Sequence, residues 1–400
     1  MKSDFLLIGA DGGATKVNCW SIEIDESEGF SLGSFQAEKA YSEYPEYDPL
    51  FKPVDLKIQL AERESGQIKP TEKEIQQGQA YTSACAAGII EIARKSNAAK
   101  ILAGIGMPGL KTGNKRGISA MANGPRMIDY ADRIEKLISE AGIELVIPIA
   151  HIGSDAYYCG LGEEYARVGQ FRNVRNSYYL GGGTGAADAL KLDGRLVSLD
   201  DIKDWFVKAW EMKCPEGRSV EKYVSSRGIQ SIFGEFTNQT VADLNAQSIY
   251  PPQIREKAFN GDTAALETLE KVAKYLALLI YERITTLFAG WQGYFELLNP
   301  NRTVPQTEHS YKKSVFDNII IGQRLGDLLR ESKNDHVLWN PFIQYLNMLI
   351  QESSILDDAA RNHYCPMGQF SEERIVISKL REAPALGAGI DAWLNYKEEL

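Results

Sequence analysis

FLLIGADGGATKVNCWSIEI, running from Phe5 to Ile24, reads as a buried apolar strand, Phe5 to Ala10, a turn at Asp11-Gly12-Gly13, and a second strand, Val17 to Ile24. Two strands joined through a Gly-rich turn form a hairpin, whereas a dinucleotide-binding glycine motif leads from a strand into a helix. The device returns later in the chain. A strand at Ser177 to Leu180 enters Gly181-Gly182-Gly183-Thr184-Gly185, and a partner strand, Ala187 to Leu192, ends at the turn Asp193-Gly194.

After each hairpin the pattern alternates. The first is followed by a helix over Glu72 to Asn97, a strand over Ala99 to Ile105, a helix over Tyr130 to Ala141, a strand over Leu145 to Ile149 and a helix over Ser154 to Ala166. The second is followed by a helical stretch from Asp201 to Gly290, clearest over Thr263 to Phe288. Asp317 to Ile321 and Arg374 to Lys379 read as strands, and a last helix opens at Pro384. Gln36 to Thr71, rich in Tyr, Pro, Glu and Lys, lacks periodicity and reads as an irregular insertion. The expectation is an α/β protein of two similar domains facing a cleft, 1–150 and 151–383, with a final helix at 384–400.

The 400 residues are 44% hydrophobic and 24% charged, enough for two or three domains with real cores. A net charge of -10 repels polyanions, which argues against a nucleic-acid or anionic-membrane partner. A small phosphate ligand can still be held by backbone amides and a metal ion. Five scattered cysteines, Cys19, Cys85, Cys159, Cys214 and Cys365, form no C-x-x-C pair and suit a reducing compartment. The N-terminal apolar run is too short and too acidic for a signal peptide, and Glu282 and Arg283 interrupt the longest apolar helix, so a cytoplasmic protein is expected.

Asp11-Gly12-Gly13-Ala14-Thr15-Lys16 can approach a polyphosphate because glycine leaves the backbone bare, while Thr15 and Lys16 add a hydroxyl and a cation. Asp11 can bind magnesium directly or through water. As an isolated stretch it is equally a plain Gly-rich turn. Recurrence in Gly183, Thr184 and Gly185 favours one phosphate chain held by two hairpins. Asp155 could accept the proton of an alcohol being phosphorylated, or could simply cap the helix that begins there.

In this order the motifs resemble those of the actin-like ATPase superfamily and, within it, the ROK family of sugar kinases and repressors. Asp11 to Lys16 looks like the first phosphate motif, Gly104 to Gly109 the connecting segment, and Gly153 to Ala156 with Leu161 to Glu163 the catalytic segment. Leu180 to Leu196 is similar to the second phosphate motif, Ile319 to Gly322 to the adenosine segment, and Pro384 to Trp393 to the closing helix that crosses back to the first domain. The resemblance implies duplicated actin-like, ribonuclease H-like domains with a nucleotide and sugar cleft between them. It also implies transfer of phosphate from ATP, with magnesium, to a sugar or amino-sugar hydroxyl, with Asp155 as general base and the pattern of a homodimer. Gly12, Gly13, Thr15, Lys16, Gly183, Thr184 and Gly185 would hold phosphates, and Gly322 and Gln323 adenosine. Gly109, Asn123, Ser154, Asp155, Glu211 and Glu221 fall where the family contacts its sugar.

Two departures stand out. Ser154 replaces the Asn that usually precedes the catalytic Asp, and the stretch from Glu211 to Ile229 keeps only Cys214 of the family's zinc-binding loop, so no zinc is expected. The four histidines, His151, His309, His336 and His363, are too dispersed for a metal pair, and the aromatics from Phe288 to Phe295 suit core packing. The rivals are a catalytically silent sugar or nucleotide sensor, a kinase of the N-acetylglucosamine group allied to benzoyl-CoA reductase activators, and a partner-coupled ATPase. A repressor is disfavoured because the sequence opens on the first strand, without a DNA-binding helix-turn-helix.

Overall fold

The structure is a computed structural model describing residues 4–25, 27 and 29–399. The chain divides into two units, Met1–Val168 with Glu382–Leu400, and Gly169–Arg381.

In the first unit, strands β1 (Leu6–Gly12), β2 (Lys16–Asp25) and β3 (Gly29–Ala40) form an antiparallel meander, and β4 (Lys100–Gly106) pairs parallel with β1. A small antiparallel pair, β5 (Leu110–Lys111) and β6 (Ile118–Ala120), follows. Strands β7 (Glu144–Leu145) and β8 (Ile152–Gly153) both lie parallel to β4. They replace the single strand expected over Leu145 to Ile149, because Pro148 falls between them and cannot donate to a ladder.

Gln36 to Thr71 is also more regular than expected. Gln36 to Ala40 closes β3, in which only Phe30 and Ala37 are buried, so this strand carries little of the alternation that marks a half-buried one. Farther on, helix α1 (Leu56–Glu64) begins at an Asp55 cap. Helix α2 (Glu72–Lys95) opens on a Thr71/Glu74 capping box and packs Tyr81, Ala84, Cys85, Ile89 and Ile92 against Ile8 and Ala10 of β1, with Tyr130, Ile134 and Ile138 of α3 (Tyr130–Glu140) in the same core.

Helix α4 (Asp155–Tyr165) joins this unit rather than opening the second, which moves the boundary from the expected residue 150 to after Val168. The reason is the last helix of the chain, Ala383–Glu398, which packs on β1, β4 and α4 at backbone distance. A Cβ at Gly9 would stand 1.8 Å from the Ala385 carbonyl oxygen, at Gly104 1.8 Å from that of Ala388, and at Gly387 1.9 Å from that of Tyr158.

The second unit repeats the topology. Strands β9 (Ser177–Gly182), β10 (Ala186–Leu192) and β11 (Arg195–Val197) form the meander. The turn between the last two has φ 48° at Asp193 and 78° at Gly194, a left-handed pair that suits Asp-Gly. A small pair, β12 (Met212–Lys213) and β13 (Glu296–Leu297), lies apart. Strands β14 (Asn318–Gly322) and β15 (Ile375–Ile377) extend the sheet in parallel from β9. Helices α5 (Glu221–Val224), α6 (Ser226–Thr237), α7 (Val241–Ala246), α8 (Pro251–Phe259) and α9 (Thr263–Ala289) precede α10 (Gln323–Glu331), α11 (Trp339–Gln351) and α12 (Asp358–Tyr364). The last helix is α13. Phe288, Trp291 and Phe295 are core residues.

Glu282 and Arg283, which break the apolar run of α9, are both fully buried. The Arg283 guanidinium donates to Asp188 at 3.1 Å and to Glu282 at 3.0 Å, and the Tyr178 hydroxyl and the Ala209 amide donate to the same Asp188 carboxylate. These ion pairs and hydrogen bonds compensate the burial of the charges, with the Arg283 Nε alone left without a hydrogen bond in the group. Among the described residues, no helix is long and apolar enough to cross a membrane.

Candidate functional site

In the first unit the strand register sets Asp11 beside Gly106, and Gly106 beside Gly153. Three adjoining parallel strands therefore end together, the usual place for a site in an α/β sheet. Their glycines are packed against neighbours: a Cβ at Gly12 would stand 2.3 Å from the Met107 Cε, and one at Gly153 2.1 Å from the Tyr158 ring.

Directly after Gly153, Ser154 is the cap of α4, its hydroxyl accepting from the Tyr157 amide at 3.2 Å. The capping role that Asp155 might have had belongs to Ser154, and Asp155 stands in the first turn, its carboxylate accepting from the Ala156 amide at 2.9 Å. Asp11 and Asp155 are electrostatic neighbours, with Glu382 at the start of α13 a third. Burial pushes the Asp11 carboxyl well above the usual carboxylate range, and the negative charges of Asp155 and Glu382 push it further.

The first hairpin is closed by the Gly13 amide donating to the Lys16 carbonyl at 2.8 Å. Two phenols hold its outer carbonyls. Tyr41 donates to the Gly13 carbonyl and Tyr81 to that of Ala14, each at 3.1 Å, and their rings stack at 3.7 Å. Burial raises both phenols, so each remains a protonated donor. The Tyr41 amide also donates to the Thr15 carbonyl at 3.0 Å. Lys16, expected at a phosphate, is ion-paired with Glu38 on β3. Sequence reasoning missed Tyr41, Tyr81 and Glu382; the Tyr-rich composition after Gln36 was the available signal for the first of these.

Gly109 directly precedes β5 and Asn123 follows β6 by three residues, and in that pair Leu110 lies opposite Ala120. Gly109 has φ 98°, and a Cβ there would meet the Ala120 carbonyl at 2.7 Å, so only glycine fits. Ala122 and Asn123 are exposed between buried Met121 and Gly124.

In the second unit, Gly183, Thr184 and Gly185 form the turn between β9 and β10, with the Gly183 amide donating to the Gly185 carbonyl at 2.9 Å. Glu221 lies on this turn: its carboxylate accepts from the Ala186 amide at 2.9 Å, and a Cβ at Gly185 would stand 2.8 Å from its Oε2. Glu211 and Glu221 flank a backbone pair in which the Val220 amide donates to the Met212 carbonyl at 2.9 Å, but their carboxylates engage different groups. Glu211 pairs with Arg302 and accepts from the Lys208 amide. Gly322 is in register with Gly181, and Gln323, at φ 57°, turns its side chain over Gly181 and Gly183.

Metal chemistry differs between the two implied ions. Among the described residues no three His, Cys, Asp or Glu side chains converge as a metal site. Magnesium asks for less, one or two carboxylates completed by phosphate oxygens and water, and Asp11 suits it. Zinc does not fit: Cys214 sits in a tight turn, its amide donating to the Arg218 carbonyl, and burial, with Glu216 nearby, pushes its thiol up to about 12. The histidines have other partners. His151 meets Asp391 at 2.7 Å, His309 stacks on Trp205 at 3.9 Å, His336 lies 4.9 Å from the Phe259 ring, and His363 bonds the Phe316 carbonyl at 2.9 Å.

No protein-family model and no curated protein matches this sequence. Solved structures do match in fold. A ROK family glucokinase from Streptomyces griseus, in complex with glucose and AMPPNP, superposes with a TM-score of 0.58 at 14% identity, over 97% of this chain and 99% of that one. The ROK hexokinase from Thermus thermophilus gives 0.53 at 15%, over 98% and 100%. A ROK family transcriptional regulator, a homolog of the E. coli MLC protein, gives 0.50 at 12%, over 98% and 79%. At these identities the likeness is one of fold: the chain has the duplicated α/β, actin-like fold of ROK-family proteins over nearly its whole length.

Proposed function

We propose that this chain, with the fold of ROK-family sugar kinases, transfers the γ-phosphate of ATP to a hydroxyl of a sugar or amino sugar. The observation that carries the reading is Asp155 in the first turn of α4, beside Asp11, where three parallel strands end. As the acceptor oxygen attacks the γ-phosphorus, Asp155 takes its proton and ADP leaves with the bond to the γ-phosphoryl group broken. Gly12, Gly13, Gly183, Thr184 and Gly185, with Thr15 and Lys16, are the phosphate-binding residues. Lys16 would exchange Glu38 for phosphate on nucleotide binding. Asp11 holds magnesium, which neutralises charge on the phosphates when bound. Gly322 and Gln323 serve adenosine, and Gly109, Asn123 and Ser154 contact the acceptor, joined by Glu211 and Glu221.

Asp155→Asn keeps the shape and removes the base. Sugar phosphorylation should fall by about 10²–10⁴-fold, the usual worth of a general base, with ATP affinity within twofold of the parent. Undiminished turnover in the variant would refute the assignment.

One observation favours a second reading, a sugar- or nucleotide-binding sensor without turnover. The Glu221 carboxylate already takes the Ala186 amide at the second hairpin, which a phosphate would otherwise approach. Sugar-stimulated release of ADP separates the two readings, since a sensor gives none.

A further inference from the structure

The segment between Val54 and Glu74 grips the loop that carries Asn123 at three points. Gln59 on α1 is fully buried, and its amide satisfies both backbone groups of Met121: Oε1 accepts from the Met121 amide at 2.7 Å, and Nε2 donates to the Met121 carbonyl at 3.2 Å and to the Val54 carbonyl at 2.7 Å. One turn on, the Arg63 Nε donates at 3.1 Å to the Ser119 hydroxyl, which itself donates to the Leu110 and Lys111 carbonyls across the β5/β6 pair. Beyond Asn123, the buried Arg126 guanidinium donates to both oxygens of the buried Glu74 carboxylate at 2.8 and 2.7 Å, donates to the Lys69 carbonyl at 3.1 Å, and pairs with Glu62.

We propose that this segment is the frame that sets acceptor binding, with Gln59 as a positioning residue that acts through Met121 on the exposed pair Ala122 and Asn123. The proposal rests on the reading of Gly109 and Asn123 as acceptor contacts. Its physical basis is that a buried amide paired on both sides fixes the Met121 backbone, and removing it leaves that backbone unpaired in a dry setting. Among the described residues, no hydrogen bond or ion pair joins Gln59, Arg63 or Arg126 to the β1–β2 turn or Asp155, so loss of the frame should be felt by the acceptor and not by the nucleotide.

Gln59→Met keeps volume and removes all three hydrogen bonds. Arg63→Met, at an exposed position, removes one and keeps the fold should Gln59→Met fail to assemble. The measurements are hydrogen exchange of residues 109–127 and steady-state kinetics with the best acceptor among glucose, mannose and N-acetylmannosamine. Gln59→Met should speed exchange in that stretch by about tenfold or more and raise acceptor KM about tenfold, with kcat and ATP KM within twofold; Arg63→Met should move acceptor KM two- to threefold in the same direction. Faster exchange with unchanged acceptor KM overturns the frame while leaving the kinase reading standing. A fall in kcat with unchanged KM overturns it as well. Absence of turnover in the parent protein with every acceptor overturns the kinase reading, and the frame with it.

Discussion

Asp11 is half-buried, with Asp155 and Glu382 as its charged neighbours, and its carboxyl is held well above the usual range. A raised folded value means that this group contributes stability fully below its unfolded value, near 4, and loses it as pH rises through the folded value. At neutral and alkaline pH the ionised Asp11 therefore opposes folding unless a cation neutralises it. Asp11→Asn should raise Tm at pH 8 by about 2–4 °C, the shift that roughly 1 kcal/mol produces in a domain of this size. The gain should shrink to nothing near pH 4, and magnesium-dependent turnover should be lost. Calorimetry of both proteins across that range checks this; a gain independent of pH would show that the carboxylate is not its source. Asp11 could be singled out in the sequence because it heads a glycine turn after an apolar strand. Glu382 could not, since nothing local marks it and only α13, from the far end of the chain, brings it there.

The β1–β2 hairpin shows what an element needs beyond its own residues. Tyr41 and Tyr81 restrain the Gly13 and Ala14 carbonyls, and so fix the peptide planes that carry the Ala14 and Thr15 amides, in the turn proposed to meet phosphate. A neutral hydrogen bond contributes a net ~1 kcal/mol, or about fivefold in binding. Tyr41→Phe and Tyr81→Phe should thus each raise ATP KM about fivefold without altering acceptor KM, as steady-state kinetics would show; unchanged ATP KM in both would mean the turn holds its shape unaided. Strands and helices with clear periodicity, such as α2 and α9, were legible in the sequence. Strand β3 was not, because an edge strand with so few buried positions loses the period-two signal. Helix α1 escaped for a related reason, since it buries chiefly the polar Gln59.

At the scale of the molecule, the repeated meander and parallel strands, β3-β2-β1-β4-β7 and β11-β10-β9-β14-β15, make the duplication seen in the two Gly-Thr hairpins a property of the whole fold. That much followed from the sequence, because each half carries its own strand, turn and strand signal. The attachment of α4 to the first unit did not, since it depends on the contact of Gly387 with the Tyr158 backbone, between residues remote in the chain. Net charge argued against polyanionic partners but named no acceptor. The central claim is phosphoryl transfer from ATP to a sugar hydroxyl, and the direct measurement is incubation with magnesium and ATP against a panel of hexoses and N-acetylhexosamines, reading ADP and the mass of the sugar product together. The account predicts that one or a few sugars gain a single phosphate, mole for mole with ADP. No phosphorylated sugar from any member of the panel, or ADP release at the same rate without sugar, would contradict it.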